Sequence, residues 1–178
     1  MAALVIIDMQ LEMQRRIDEG RDCINPDAPA RIAALARLFR RNGNPVIHIR
    51  HRDADPASPL HAAAAGYPAM TCAQALEGEP VFLKTTSSGF TSTDLAAYLG
   101  GKGITDLVVT GAVAGFCVNS TVRAGADLGF DVVVVRDAVI GFDLPAAGLT
   151  ARLIFDVTMG HLEADFARVV ESAELLSA

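Results

Sequence analysis

With 178 residues, 51% of them apolar, the chain is sized for one globular domain with a sizeable core. A formal charge of −6 and the absence of a long Lys/Arg run argue against nucleic acid as the main partner, and no apolar stretch approaches the ~20 residues that a membrane span needs. Three cysteines, Cys23, Cys72 and Cys117, are an odd set without regular spacing, so a disulfide framework is excluded and a reducing cytoplasm is the expected setting.

The first apolar run, Ala2-Ala-Leu-Val-Ile-Ile7, lacks a basic leader and stops at Asp8. It reads as a strand over 3–7, not as a signal peptide. Residues 31–41 carry apolar side chains at Ile32, Leu35, Ala36, Leu38 and Phe39, and predict a helix that ends before Gly43. A strand follows at 45–49. The stretch 51–79 is irregular, with Pro56, Pro59 and Pro68 and a short helical turn expected at 62–65; a loop that long is usually functional or an interaction surface. A strand at 81–83 precedes a helix over 93–99, capped by Thr93 and stopped by Gly100-Gly101. A buried strand over 107–110 leads through the turn 111–116 into a helix over 117–128, stopped by Gly129. A strand at 132–135, a weaker helix at 147–159 and a strand at 167–170 complete the pattern. Cys23 and Cys72 fall in apparent loops and read as incidental thiols.

This alternation implies βαβ units with right-handed crossovers, in a mainly parallel sheet covered by helices on both faces. Ligands of such sheets gather outside the carboxyl ends of the strands. Asp8 ends the first strand, Lys84 the third, and Cys117 follows the fourth, so an acid, a cation and a thiol can reach one edge. A thiol in the first turn of a helix sits among unpaired N–H groups, and with an ammonium nearby its pKa is expected to fall below the ordinary value.

Three motifs in this order, Ala3-Leu-Val-Ile-Ile-Asp8-Met-Gln10, Lys84-Thr-Thr-Ser-Ser-Gly-Phe-Thr-Ser-Thr-Asp-Leu95 and Val109-Thr-Gly-Ala-Val-Ala-Gly-Phe-Cys117-Val-Asn-Ser-Thr121, resemble those of the isochorismatase-like cysteine hydrolases. Arg123-Ala-Gly-Ala-Asp-Leu-Gly-Phe-Asp-Val132 and Arg136-Asp-Ala138 extend the resemblance over nearly the whole chain. The resemblance implies a three-layer α/β/α fold with a six-stranded, mainly parallel sheet in 3-2-1-4-5-6 order, a Rossmann-like topology. It also implies a single small-molecule hydrolase domain, dimers or larger assemblies, and a catalytic triad of Asp8, Lys84 and Cys117. It further implies a cis peptide between Ala112 and Val113, with the N–H groups of Val113 and Cys117 as the oxyanion hole. Gln10, Phe90 and Phe116 are the candidate substrate-binding residues beside it; Phe90 and Phe116 read equally well as core aromatics. Relatives often carry Thr where Ala114 stands, an acid where Gly115 stands, and Asn-Asp-Phe where this chain has Leu11-Glu-Met13.

The chemistry that follows is acyl transfer: Asp8 takes the thiol proton, Cys117 attacks a carbonyl, Asp8 protonates the leaving amine, and water clears the thioester. The expected activity is hydrolysis of a C–N bond in a small carboxamide, ureido or carbamoyl compound. The alternatives are an isochorismatase-type vinyl-ether hydrolase, which needs no thiol, and an idle small-molecule-binding domain, which needs none of the three residues. No cofactor is expected, since Gly111-Ala-Val-Ala-Gly115 is not a dinucleotide fingerprint. His48, His51, Asp53, Asp55 and His61 lie close in sequence, but there is no Asp-x-His, and a continuing strand would point His48 and His51 to opposite faces. No metal is expected there, and these groups read as solvated loop polars or a polar rim to the pocket.

Overall fold

A computed structural model describes residues 1–177. A central sheet is built from β1 (Ala2–Ile7), β2 (Cys23–Ile24), β3 (Val46–His51), β4 (Val81–Lys84), β5 (Asp106–Ala112), β6 (Asp131–Phe142) and β7 (Arg168–Val170). The helices are α1 (Leu11–Asp18), α2 (Ala28–Arg41), α3 (Leu95–Gly101), α4 (Asn119–Asp127), α5 (Ala151–Asp165) and α6 (Ser172–Leu176). Strands β4, β3, β1, β5, β6 and β7 pair in that spatial order and all in parallel, which is the 3-2-1-4-5-6 arrangement of the six expected strands. The short β2 adds an antiparallel pairing to the end of β6, Cys23 opposite Phe142.

Alternation along β1 explains the three layers. Ala3, Val5 and Ile7 enter a core packed with α3, α4 and α5 residues such as Leu99, Val122 and Phe155. Leu4 and Ile6 enter a second core with Ile32, Leu35 and Phe39 of α2. All five of these β1 side chains are at most 1% exposed, so β1 is covered on both faces, as a continuous apolar run predicts.

Several elements differ from the sequence reading. Helix α1 follows β1 directly; its buried face carries Glu12, 1% exposed, which hides the apolar period. That carboxylate is bonded by Arg15 through Nε and Nη2, both at 2.8 Å, and by Arg16 through Nε at 2.7 Å. Strand β6 runs well past 135. Its register slips between the Val109–Val134 and Gly111–Val139 pairs, and the polar residues at the slip are satisfied. Arg136 meets Asp156 at 2.6 Å, Asp137 accepts from the Ser172 amide and hydroxyl, and Asn25 donates to the carbonyls of Arg136 and Val139. Helix α5 starts at Ala151, four residues later than expected, with Thr150 accepting from the Leu153 N–H. Thr93 does accept from the Leu95 N–H at the start of α3. Cys23 lies in β2 and Cys72 in a single 3₁₀ turn, Thr71–Ala73. No helix among the described residues is long and apolar enough to cross a membrane.

Candidate active site

The site lies outside the carboxyl ends of β1, β3, β4 and β5. Asp8 is the first residue past β1 and has φ +50, a left-handed conformation that an aspartate tolerates and that turns the chain sharply. Its N–H donates to the Ile49 carbonyl, keeping the turn tied to β3. Lys84 ends β4 and is fully buried. In the parallel register His51 of β3 is the direct partner of Lys84, so both side chains leave the same face.

Lys84 is the hub. Its Nζ lies 2.7 Å from Asp8 Oδ2, 3.0 Å from His51 Nδ1 and 3.2 Å from Cys117 Sγ. Facing an ammonium, His51 Nδ1 accepts, so its Nε2–H donates to Asp53 Oδ1 at 2.8 Å. The Ser58 hydroxyl also donates to Asp53, at 2.5 Å. The other oxygen of Asp8, Oδ1, is buried and makes no hydrogen bond to any described residue. One atom each from Asp8, His51 and Cys117 lies within 4.8 Å of the other two. Three donors of that kind suit a metal, but the ammonium of Lys84 already stands among them, and a divalent ion would have to displace it.

Cys117 does not open an α-helix. The residues Ala114–Val118 form a wide π-type turn, and α4 begins only at Asn119; such turns are frequent at functional sites. The preceding peptide, Ala112–Val113, is cis. Just before it Gly111 takes φ +122, where a Cβ would collide with the Ile7 carbonyl oxygen and stand 2.6 Å from the Ile7 nitrogen. Only glycine fits so close to β1.

The electrostatics reverse one expectation. Burial, and then the Asp8 charge, push the Cys117 thiol up to about 12, and the ammonium of Lys84 only partly offsets them. Desolvation thus outweighs the cation and favours the neutral thiol. Burial likewise raises the Asp8 carboxyl above the ordinary value of 3.8, against the opposing pull of Lys84. The carboxylate is thereby a stronger proton acceptor.

A cavity of about 270 Å³ opens onto the thiol, walled by Asp8, His51, Ala112, Val113, Phe116 and Cys117, with Met13, Arg16, Leu60 and Ser87 completing it. Phe116 is half exposed and lines this space. Gln10 and Phe90 do not. Gln10 is fully buried; its amide donates to the carbonyls of His51 and Tyr67, at 3.0 and 2.8 Å, and its Oε1 accepts from the His51 N–H. All of these bonds go to backbone, so it pins the end of β3 to the loop and has nothing left for a ligand. Phe90 stacks on Phe130 at 5.6 Å and packs in the core.

The histidines separate as the strand period requires. His48 Nε2 lies 2.8 Å from Glu79, which also binds Arg40 of α2, on the far face from His51. Asp55 accepts from the Ala57 N–H, and His61 from the Ala63 N–H. These five residues form no common ligand set; only His51 reaches the site. Its place beside Lys84 follows from the register of β3 and β4. Arg16 and Met13 were hidden with α1.

The fold is thus an α/β sheet, mainly parallel, that brings an acid, a lysine and a thiol together at its carboxyl edge. The Isochorismatase domain model matches residues 2–173, and the chain belongs to the isochorismatase family of hydrolases. It is 29% identical over 178 residues to the isochorismatase family protein YrdC of Bacillus subtilis, covering 98% of this chain and 94% of that one. A streptothricin hydrolase of Streptomyces noursei is 30% identical over 148 residues, covering 82% of this chain and 51% of the relative. Among solved structures, an isochorismatase-family protein of Chromobacterium violaceum superposes with TM-score 0.92 at 31% identity, covering 99% of this chain and 92% of that one.

Proposed function

We propose that the chain is a cysteine hydrolase that cleaves a C–N bond of a small carboxamide, ureido or carbamoyl compound through a thioester. The observation that carries this reading is the single buried ammonium of Lys84 at 2.7 Å from Asp8 and 3.2 Å from Cys117, two residues that line one small cavity.

Asp8 Oδ1 takes the proton from Sγ as sulfur attacks the carbonyl carbon, so a thiolate need not exist beforehand. The backbone N–H groups of Val113 and Cys117 receive the oxyanion, an interaction worth about 2.7–4 kcal/mol per donor in comparable sites. The C–N bond then breaks, with the proton passing from Asp8 to the leaving nitrogen. Water attacks the thioester, giving one proton to Asp8 as the C–S bond breaks, and that proton returns to sulfur. Lys84 keeps Asp8 ionised and orients it, and the Asp53–His51 pair orients Lys84. The retained thiol favours this chemistry over vinyl-ether hydrolysis, which proceeds without an acyl-enzyme.

The test is an ammonia-release screen over small amides and ureido acids, with Cys117→Ser alongside. Turnover of at least one compound, lost by more than about a thousandfold in the variant, is expected. Turnover unaffected by the substitution, or isochorismate as the one responding compound, would replace this reading.

A further inference from the structure

Helix α1 contributes Met13 and Arg16 to the cavity lining, and Arg16 is the one arginine or lysine in it. The acid that lines the cavity, Asp8, is already paired with Lys84 at 2.7 Å. Arg16 meets one carboxylate among the described residues, Glu12, through Nε at 2.7 Å, and must share it: Arg15 takes both oxygens of Glu12 at 2.8 Å. The guanidinium is also held beside the Phe142 ring, 5.7 Å from its centre. Two anchors therefore fix its direction, while its remaining N–H groups keep the fork that matches a carboxylate. A pre-oriented cation that shares the cavity lining with Met13, Leu60 and Phe116 is a subsite for an anionic group on a short apolar linker.

We propose that Arg16 is the specificity determinant of this site and that the substrate is an amido, ureido or carbamoyl acid, its carboxylate bound by Arg16 while its carbonyl lies at Cys117. The assignment rests on the amide-hydrolysis reading above and narrows it, removing neutral carboxamides from the preferred class. The cavity of about 270 Å³ limits the acid to a small one.

Two alkylating reagents of one size but different charge, iodoacetate and iodoacetamide, test this without a known substrate. In both reactions the thiol loses its proton, the C–S bond forms and iodide leaves. Rates at Cys117 are read by peptide mass mapping at pH 8.5, with Cys23 and Cys72 as internal references. The iodoacetate-to-iodoacetamide rate ratio at Cys117 is expected to drop about ten- to a hundredfold in Arg16→Gln, the size of one lost charge-assisted contact, and to be restored only in part in Arg16→Lys, which keeps the charge but not the fork. A merely structural role would slow both reagents together and leave the ratio unchanged, which would overturn the proposal. In parallel, kcat/KM for an amido acid should exceed that for its methyl ester in the wild type, and equal values would also overturn it. Failure of the hydrolase reading looks different: Cys117→Ala would still turn over amides while the alkylation ratio continued to report on Arg16.

Discussion

Replacing Lys84 by Met tests what the buried lysine does for Asp8. The substitution keeps the volume near Cys117 but removes the cation 2.7 Å from a carboxylate that is 3% exposed. An unpaired carboxylate at that depth takes up a proton instead of staying charged. Holding it protonated at pH 7, against an ordinary value of 3.8, costs up to about 4 kcal/mol at 1.36 kcal/mol per unit. At pH 5 the same cost is under about 2 kcal/mol. Because the folded-state pKa is raised, the contribution to stability is fully present below pH 3.8 and is lost as pH rises through the folded value. The stability gap between Lys84→Met and the wild type should therefore narrow by up to about 3 kcal/mol between pH 7 and pH 5, read from urea unfolding midpoints of both proteins in parallel buffers. The wild-type carboxyl is itself raised by burial, which makes that figure a ceiling. A gap that stays constant with pH would refute the assignment of Lys84 as the group that keeps Asp8 ionised.

Three further outcomes follow from neighbouring contacts. His51→Ala removes the acceptor 3.0 Å from Lys84 Nζ and should lower kcat by about a hundredfold with a much smaller change in KM, measured by steady-state kinetics on any compound the screen identifies. Gly111→Ala forces a Cβ against the backbone of Ile7 and should destabilise the fold by at least about 3 kcal/mol, visible as a lowered unfolding midpoint. Burial works to raise the Glu79 carboxyl, but Arg40, the Leu76 N–H and His48 more than offset it and hold it down at about 2. Its stabilisation is thus present above 4.5 and fades as pH falls from there towards 2, so Glu79→Gln should cost at most about 3 kcal/mol at neutral pH and converge on the wild type in acid; a parallel offset across an acid titration would contradict this.

The meeting of Asp8, Lys84 and Cys117 at one edge was legible because strand ends are. Asp8 and Lys84 close runs of apolar residues, and a parallel sheet sends its strand ends to one edge. What stayed hidden involved buried polar groups that only tertiary partners can satisfy. Glu12 interrupted the α1 pattern because Arg15 and Arg16 neutralise it in place. Arg136 and Asp137 cut β6 short on paper because the chain slips register there. Gln10, beside the acid in its motif, spends its amide on backbone, which no spacing rule distinguishes from a ligand contact. The direction of the thiol pKa differs for a related reason: a nearby cation can be read from sequence, but the burial that outweighs it, and the wide turn that replaces the expected helix start, cannot.

The turn that presents Asp8 is also the anchor of the long loop. Backbone bonds run from Leu11 N–H to the Pro68 carbonyl, from Glu12 N–H to Gly66 and from Met70 N–H to Met9, and Gln10 holds both His51 and Tyr67. The loop is thus stitched down at its two ends, while its middle supplies Leu60 to the cavity wall. That division sets where directed evolution can work. Libraries confined to 54–57 and 62–64 can reshape the wall through Leu60 and sample new leaving groups. Changes at 66–70 pull on the turn that holds Asp8, and variants there should lose turnover on every compound at once.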